Sequence, residues 1–204
     1  LAHTIMGPFF AEYLRFNPSN ALRLKTATAS ALINDLHSGQ LDILLAPSQV
    51  SLLRDDLVQK FLFFDQLAIF ARKNHPATKL PKPLNPDQLV NYDYVVAGAS
   101  AAIYGSTKEA LQQQGINMRS IPIYFTGDIQ MAMEVLNQSD CLCVLGRKLA
   151  QFSRFNEEIV ELDIDRILPS RDIVAWTKKD MFERQEIVSF IQQVSDFVAA
   201  RVLI

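Results

Sequence analysis

Apolar positions recur every three to four residues at Ile5, Phe9, Tyr13 and Phe16, with Glu12 and Arg15 on another face. That period predicts an amphipathic helix whose first turns accommodate Pro8 and whose stop is Asn17-Pro18-Ser19-Asn20. From Ala21 to Ala27, Leu22 and Leu24 alternate with Arg23 and Lys25, the period of a strand. Thr28 or Ser30 is placed to cap a helix over Ala31–Ser38, which Gly39 ends by adopting a left-handed conformation. Leu41–Ala46 is a nearly unbroken apolar run, the pattern of a parallel strand buried on both faces. Strand, helix and strand in so short a span predict a compact βαβ unit with a right-handed crossover.

Phe61–Phe64 and Leu67–Arg72 are two further extended segments. Between His75 and Pro86 lie Pro76, Pro81, Pro83 and Pro86, which mark a linker or surface loop and the best candidate boundary. A second cycle follows: strand Tyr94–Ala97, helix Ser106–Gln114, turn at Gly115, strand Ile121–Phe125, helix Asp128–Asn137 and strand Cys141–Leu145. Glu158–Ile164 and Asp172–Lys178 are further strands. Glu183–Val202 closes the chain as a helix with Ile187, Phe190, Ile191, Val194, Phe197 and Val198 on its inner stripe. Alternating helices and strands of this kind specify an α/β fold, and two cycles suggest two lobes. The last helix has no seat in the second cycle and is expected to return to the first.

Composition narrows the class of function. The 204 residues carry 20 Lys and Arg against 22 Asp and Glu, a formal charge of −2. So even a balance argues against gripping nucleic acid unaided, since duplex affinity rests on many cation–phosphate contacts. The longest uncharged stretch, Tyr94–Thr107, is 14 residues broken by Gly98, Ser100, Gly105 and Ser106. A bilayer needs roughly 20 apolar residues, so this stretch does not span one. No charged segment followed by an apolar one opens the chain, and a start at Leu1 without Met reads as an excised fragment. Cys141 and Cys143 are the only cysteines. They read as small core residues, with a redox pair as the alternative, and the lack of a disulfide framework agrees with a reducing cytoplasm.

Several segments resemble the effector-binding domain of LysR-type transcriptional regulators. Leu32 through Ile43, with Gly39 and Asp42, is similar to the family's helix, glycine, spacer and aspartate entering a buried strand. Gly7-Pro8-Phe9-Phe10 through Phe16-Asn17-Pro18 resembles its first helix. Phe70 through Pro76 resembles the His-Pro that follows its crossing strand, and Pro83-Leu84 through Leu89 and Tyr92 the short helix beyond. Ser139-Asp140-Cys141-Leu142 departs from the Gly-x-Gly-apolar run usual before the later strand, as does Gly146 from a following proline. The resemblance implies a two-lobed type-2 periplasmic-binding-protein-like fold with a ligand cleft between the lobes, residues 1–70 plus 179–204 forming lobe I and 71–178 lobe II. It also implies a homodimer or tetramer pairing unlike lobes, and a winged helix-turn-helix upstream of Leu1 through which alone DNA would be bound. A cytoplasmic regulator is the expected setting. A periplasmic-type solute-binding protein for transport is the alternative.

In such a cleft, strand ends and helix N-termini offer free N–H groups and a favourable dipole to anions. Thr28 and Ser30 can present hydroxyls there, or merely cap the helix. Pro47 and Ser48 follow a buried strand, where parallel sheets place ligands, or form a surface turn. Ala99 and Ser100, after the second lobe's first strand, permit close backbone approach. Gly127 and Asp128 enter a helix; Asp128 is most simply its N-cap, and if it faces the cleft it favours an amine-bearing ligand. These eight residues are the expected effector site, for an anionic or zwitterionic metabolite. His3, His37 and His75 lie in different elements with no catalytic spacing, and no phosphate loop or metal motif occurs. No reaction, metal or cofactor is therefore expected. His37 reads as a solvated helix end, His75 as ordering the loop before Pro76, Trp176 as strand packing, and Arg147/Lys148 as ordinary charged surface.

Overall fold

The computed structural model describes residues 5–18, 20–49, 55–97, 108–109, 111–117, 123–125, 129–151, 155 and 157–202. The chain divides into two compact units, Leu1–Asp65 with Arg171–Ile204, and Gln66–Ser170.

Unit 1 begins with α1 (Gly7–Phe16), which takes Pro8 in its first turn and ends where Asn17 turns back, its amide donating to the Tyr13 carbonyl. α2 (Ala29–Ser38) starts from Thr28 and stops at Gly39, whose φ of 74° is open to a residue without a Cβ. A Cβ at Gly39 would meet no atom within 4 Å. Gly39→Ala is therefore expected to cost only the backbone strain, about 1 kcal/mol, read as a shift in the urea midpoint.

The segment expected as a first strand, 21–27, has no regular structure. Leu22 and Leu24 are 42% and 52% exposed, so their alternation meets no buried face, and a strand without a ladder has nothing to hold it. Lys25 anchors the segment to α2 through Asp35 at 2.5 Å. β1 (Leu44–Pro47) pairs antiparallel with β7 (Ser170–Lys178), Leu44 opposite Trp176 and Ala46 opposite Val174. The expected βαβ unit is thus corrected on two counts: its first strand is absent among the described residues, and the observed partner of the second runs the other way. Ile33 and Leu36 of α2 close over Leu44, Ala46, Leu57, Val174 and Trp176. The last helix, α6 (Gln185–Val202), packs on α1, with Phe9 edge-on to Phe190 and Phe197 at 5.4 Å each.

β2 (Leu57–Arg72) joins the two extended segments into one strand and carries the chain out of unit 1 at Asp65. In unit 2 the strand order is β2, β5 (Leu142–Gly146), β3 (Tyr94–Ala97), β4 (Ile123–Phe125), with β6 (Ile159–Glu161) also paired to β2. β3 runs parallel to β4 and β5, whereas β2 is antiparallel to β5 and β6. Period two sorts the side chains onto two faces. Leu67, Ile69, Ala71, Tyr94 and Leu142 join one cluster, while Ala68, Phe70, Val95 and Cys143 join another. α4 (Ile129–Gln138) covers the second face with Ala132, Met133 and Leu136.

The first face is covered by the proline-rich stretch, which is accordingly not a linker. A short 3-10 turn, Pro76–Lys79, buries Ala77 completely, and Leu84 and then Leu89, the last residue of α3 (Pro86–Leu89), follow it into the cluster. His75 makes that seat. It is fully buried, its Nδ1 accepts the Ala77 N–H at 3.0 Å, and its Nε2 lies 3.1 Å from the Asp140 carbonyl. Since Nδ1 accepts, the proton sits on Nε2 and is donated to Asp140. Ser139 replaces the expected glycine by capping: its hydroxyl donates to the Val135 carbonyl at 2.7 Å and accepts the Cys141 amide.

Candidate functional site

The ten-residue helix α2 carries two of the expected ligand groups at its N-terminus. Thr28 is extended, its carbonyl accepts the Leu32 amide at 3.0 Å, and its Oγ1 accepts the Ala31 amide at 3.4 Å. Ser30 sits exposed in the first turn with its hydroxyl 3.2 Å from that of Thr28. The cap and the hydroxyl pair are thus one arrangement: Thr28 spends one lone pair on the helix, and the two oxygens stand together beside a positive helix end.

Pro47 and Ser48 lie at the C-terminal end of β1 in the same unit, both half-buried. Ser48 spends its amide on the Asp172 carbonyl at 2.9 Å, so its hydroxyl is the group it has to offer a ligand. Ala99, Ser100, Gly127 and Asp128 lie outside the described residues.

Other polar groups are tied up in ways the one-dimensional pattern concealed. Arg147 is not ordinary surface. It opens the short helix α5 (Arg147–Gln151), holds the Glu161 carboxylate with Nε at 2.9 Å and Nη2 at 2.6 Å, and donates Nη1 to Gln66 at 2.8 Å. His37 is not a solvated helix end: its side chain is 12% exposed, with Nδ1 3.6 Å from an Asp56 carboxylate oxygen. Asp65 is 2% exposed, and the sequence carries no sign of it, because nothing local distinguishes a buried aspartate from a solvated one. Burial pushes the Arg171 guanidinium below its ordinary value, and the Asp65 charge pulls it back up. Burial likewise lowers His75, against the opposing pull of the Asp140 carbonyl and carboxylate. Trp176 is strand packing, 6% exposed. Cys143 is buried and Cys141 half-buried, both against the α4 side of the sheet. Among the described residues no cluster of three or more His, Cys, Asp or Glu is placed to hold a metal, and no helix is long and apolar enough to cross a membrane.

Comparisons place this geometry in a family. The LysR substrate binding domain family matches residues 1–199. Among solved structures, the chain is similar to the C-terminal domain of a probable LysR family transcriptional regulator from Rhodococcus sp. RHA1, at 16% identity and a TM-score of 0.77 over 96% of this chain and 94% of that one. The CcmR regulatory domain of Synechocystis PCC6803, in complex with 2-PG, matches at 13% identity and a TM-score of 0.76, over 96% and 91% of the two chains. The effector binding domain of a BenM variant matches at 12% identity and a TM-score of 0.74, over 96% and 89%. No curated protein matches the chain. The fold shared with those regulatory domains is of the type-2 periplasmic-binding-protein kind. With its family's pattern running through 199 of its 204 residues, the chain belongs to the LysR substrate-binding domains, the effector-binding part of LysR-type regulators.

Proposed function

We propose that this domain binds a small anionic or zwitterionic metabolite through Thr28, Ser30, Pro47, Ser48, Ala99, Ser100, Gly127 and Asp128. The observation that supports this most is the hydroxyl pair of Thr28 and Ser30, 3.2 Å apart at the start of α2. Two hydroxyls and first-turn amides at a positive helix end form a ready acceptor for a carboxylate, sulfate or phosphate oxygen. Asp128, as one of these residues, favours ligands that also carry an amine.

In this reading the domain carries out no reaction. Ligand binding favours one of two arrangements of the domain, and a homodimer or tetramer in the cytoplasm passes the difference to an upstream winged helix-turn-helix that touches DNA. Couplings of this kind are worth about 1–3 kcal/mol, so a graded change in promoter geometry is expected rather than an all-or-none switch. The family match favours this reading over solute transport.

Thermal unfolding tests it. A panel of small carboxylates, phosphates and amino acids, with 2-PG among them, is expected to contain at least one compound that raises the midpoint of the domain. Thr28→Val and Ser100→Val are each expected to cut that rise by more than half while the ligand-free midpoint moves by less than about 3 °C, since each removes one hydroxyl. Full ligand response in both variants contradicts the site.

A further inference from the structure

Within unit 1, the chain between α1 and α2 is fastened at both ends and at one point between. At its start, the Asn20 amide donates to the Asn17 carbonyl at 3.1 Å, and Asn20 Nδ2 donates to the Tyr13 hydroxyl at 2.8 Å. At its end, Thr28 enters α2 as the cap. Between them, Lys25 Nζ meets Asp35 Oδ2 at 2.5 Å, the one side-chain bond of 21–27 among the described residues. Residues 21–26 are exposed and join no ladder. Among the described residues, the Lys25 bond is therefore what sets the direction in which the chain reaches Thr28.

The pair constrains more than its two ends. Asp35 lies two turns into α2, ten residues from Lys25 in the chain. At 1.5 Å per residue that is roughly 10 Å along the axis, beyond the reach of a lysine on a chain arriving from past the helix end. The ammonium gets there because 25–28 runs back alongside the helix. Asp35 is itself a fixed anchor: its carbonyl accepts the Gln40 and Leu41 amides at 2.9 and 3.1 Å, the turn that closes α2. Its side chain is 16% exposed.

Thr28 needs such a guide. Its Oγ1 is 3.4 Å from the Ala31 amide, the long end of a hydrogen bond, so the cap alone holds the side chain loosely. The 3.2 Å contact with the Ser30 hydroxyl depends on the same orientation. An ion pair with its lysine half exposed adds little stability, so what the pair supplies is direction.

We infer that Lys25 is a positioning residue: its ion pair with Asp35 holds 25–28 alongside α2 and so fixes the direction of the Thr28 hydroxyl for a ligand. The inference rests on the reading of Thr28 and Ser30 as ligand groups. It gives Lys25 its role without contact with the ligand, its charge being spent on Asp35.

NMR of the whole domain tests it, with inorganic phosphate as the probe. Three-bond couplings to the Thr28 methyl carbon report whether the side chain keeps one rotamer. One rotamer is expected in the unsubstituted domain and in Lys25→Arg, which keeps the pair. Averaged couplings are expected in Lys25→Met and Asp35→Ala, with the urea midpoint nearly unchanged. In those two variants phosphate binding, followed at the Ser30 and Ala31 amides, is expected to weaken about three-fold or more. Asp35→Ala separates positioning from plain charge. It frees a cation near the site, so attraction alone would tighten the binding of phosphate. One rotamer kept in Lys25→Met and Asp35→Ala overturns the inference whether or not phosphate binds. So do couplings already averaged in the unsubstituted domain, and so does tighter binding in Asp35→Ala. Averaging confined to those variants, with no first-turn amide of the unsubstituted domain moved by phosphate, upholds the positioning and counts against the ligand reading alone.

Discussion

His75→Ala is expected to lower the unfolding free energy by about 3 kcal/mol, from the cavity and the buried groups it orphans. The ring is fully buried, bonded through both nitrogens, and packed edge-on against Tyr92 at 4.6 Å. Its removal leaves the Ala77 amide and the Asp140 carbonyl without their partners. His75→Asn restores an acceptor near Nδ1, because asparagine is among the best capping residues, and is expected to recover about half of the loss.

The same residue sets a pH dependence. Its folded-state pKa is lowered by burial from the usual 6.5, so the native state favours the neutral ring. The contribution to stability is complete above pH 6.5, and it is lost progressively as the pH falls below that value, where the unfolded chain takes up the proton first. Urea unfolding measured between pH 8 and about 5 is expected to show this decline, and the His75→Asn chain to lack that share of it. An unchanged slope in the variant contradicts the assignment.

Phe9→Ala is expected to be costlier still, about 4 kcal/mol. Phe9 is 3% exposed and meets the rings of Phe10, Tyr13, Phe190 and Phe197 within 5.7 Å. It is the seat on which the last helix returns to the first. Amides of α6 are expected to lose most of their protection from hydrogen exchange in this variant, while a cost below about 1 kcal/mol contradicts the packing. The ion pair beside it is a useful contrast. Arg201 reaches Glu12 at 2.8 Å, but both side chains are 45% exposed, and removing that pair by Glu12→Gln is expected to cost no more than about 0.5 kcal/mol.

What was legible in the sequence was local. Pro8 and Asn17 bracket α1, and Thr28 and Gly39 bracket α2, because caps and stops act within one turn of the residues that make them. The closing helix was legible from its stripe, and Phe9 and Phe197 show what that stripe is for. The failures share a cause. Strand status at 21–27 depended on a neighbour that alternation cannot reveal, and strand direction at β1 depended on β7, about 130 residues on in the chain. The prolines from Pro76 to Pro86 signalled the absence of a ladder, which they do impose, but not where the segment lies, and it lies over the core of unit 2. Arg147 looked like surface because Glu161 and Gln66 are 14 and 81 residues away.

For the site, the helix-capping pattern led to Thr28 and Ser30, and the strand end to Ser48. The amide of Ser48 is taken by Asp172, a bond no periodicity announces.

The most direct test of the account is an NMR titration of the domain with the compound that most raises its unfolding midpoint. Saturable shifts of the Ser30, Ala31 and Ser48 amides, lost in Thr28→Val, are the predicted result. Saturable binding that leaves those three amides in place and moves others contradicts it.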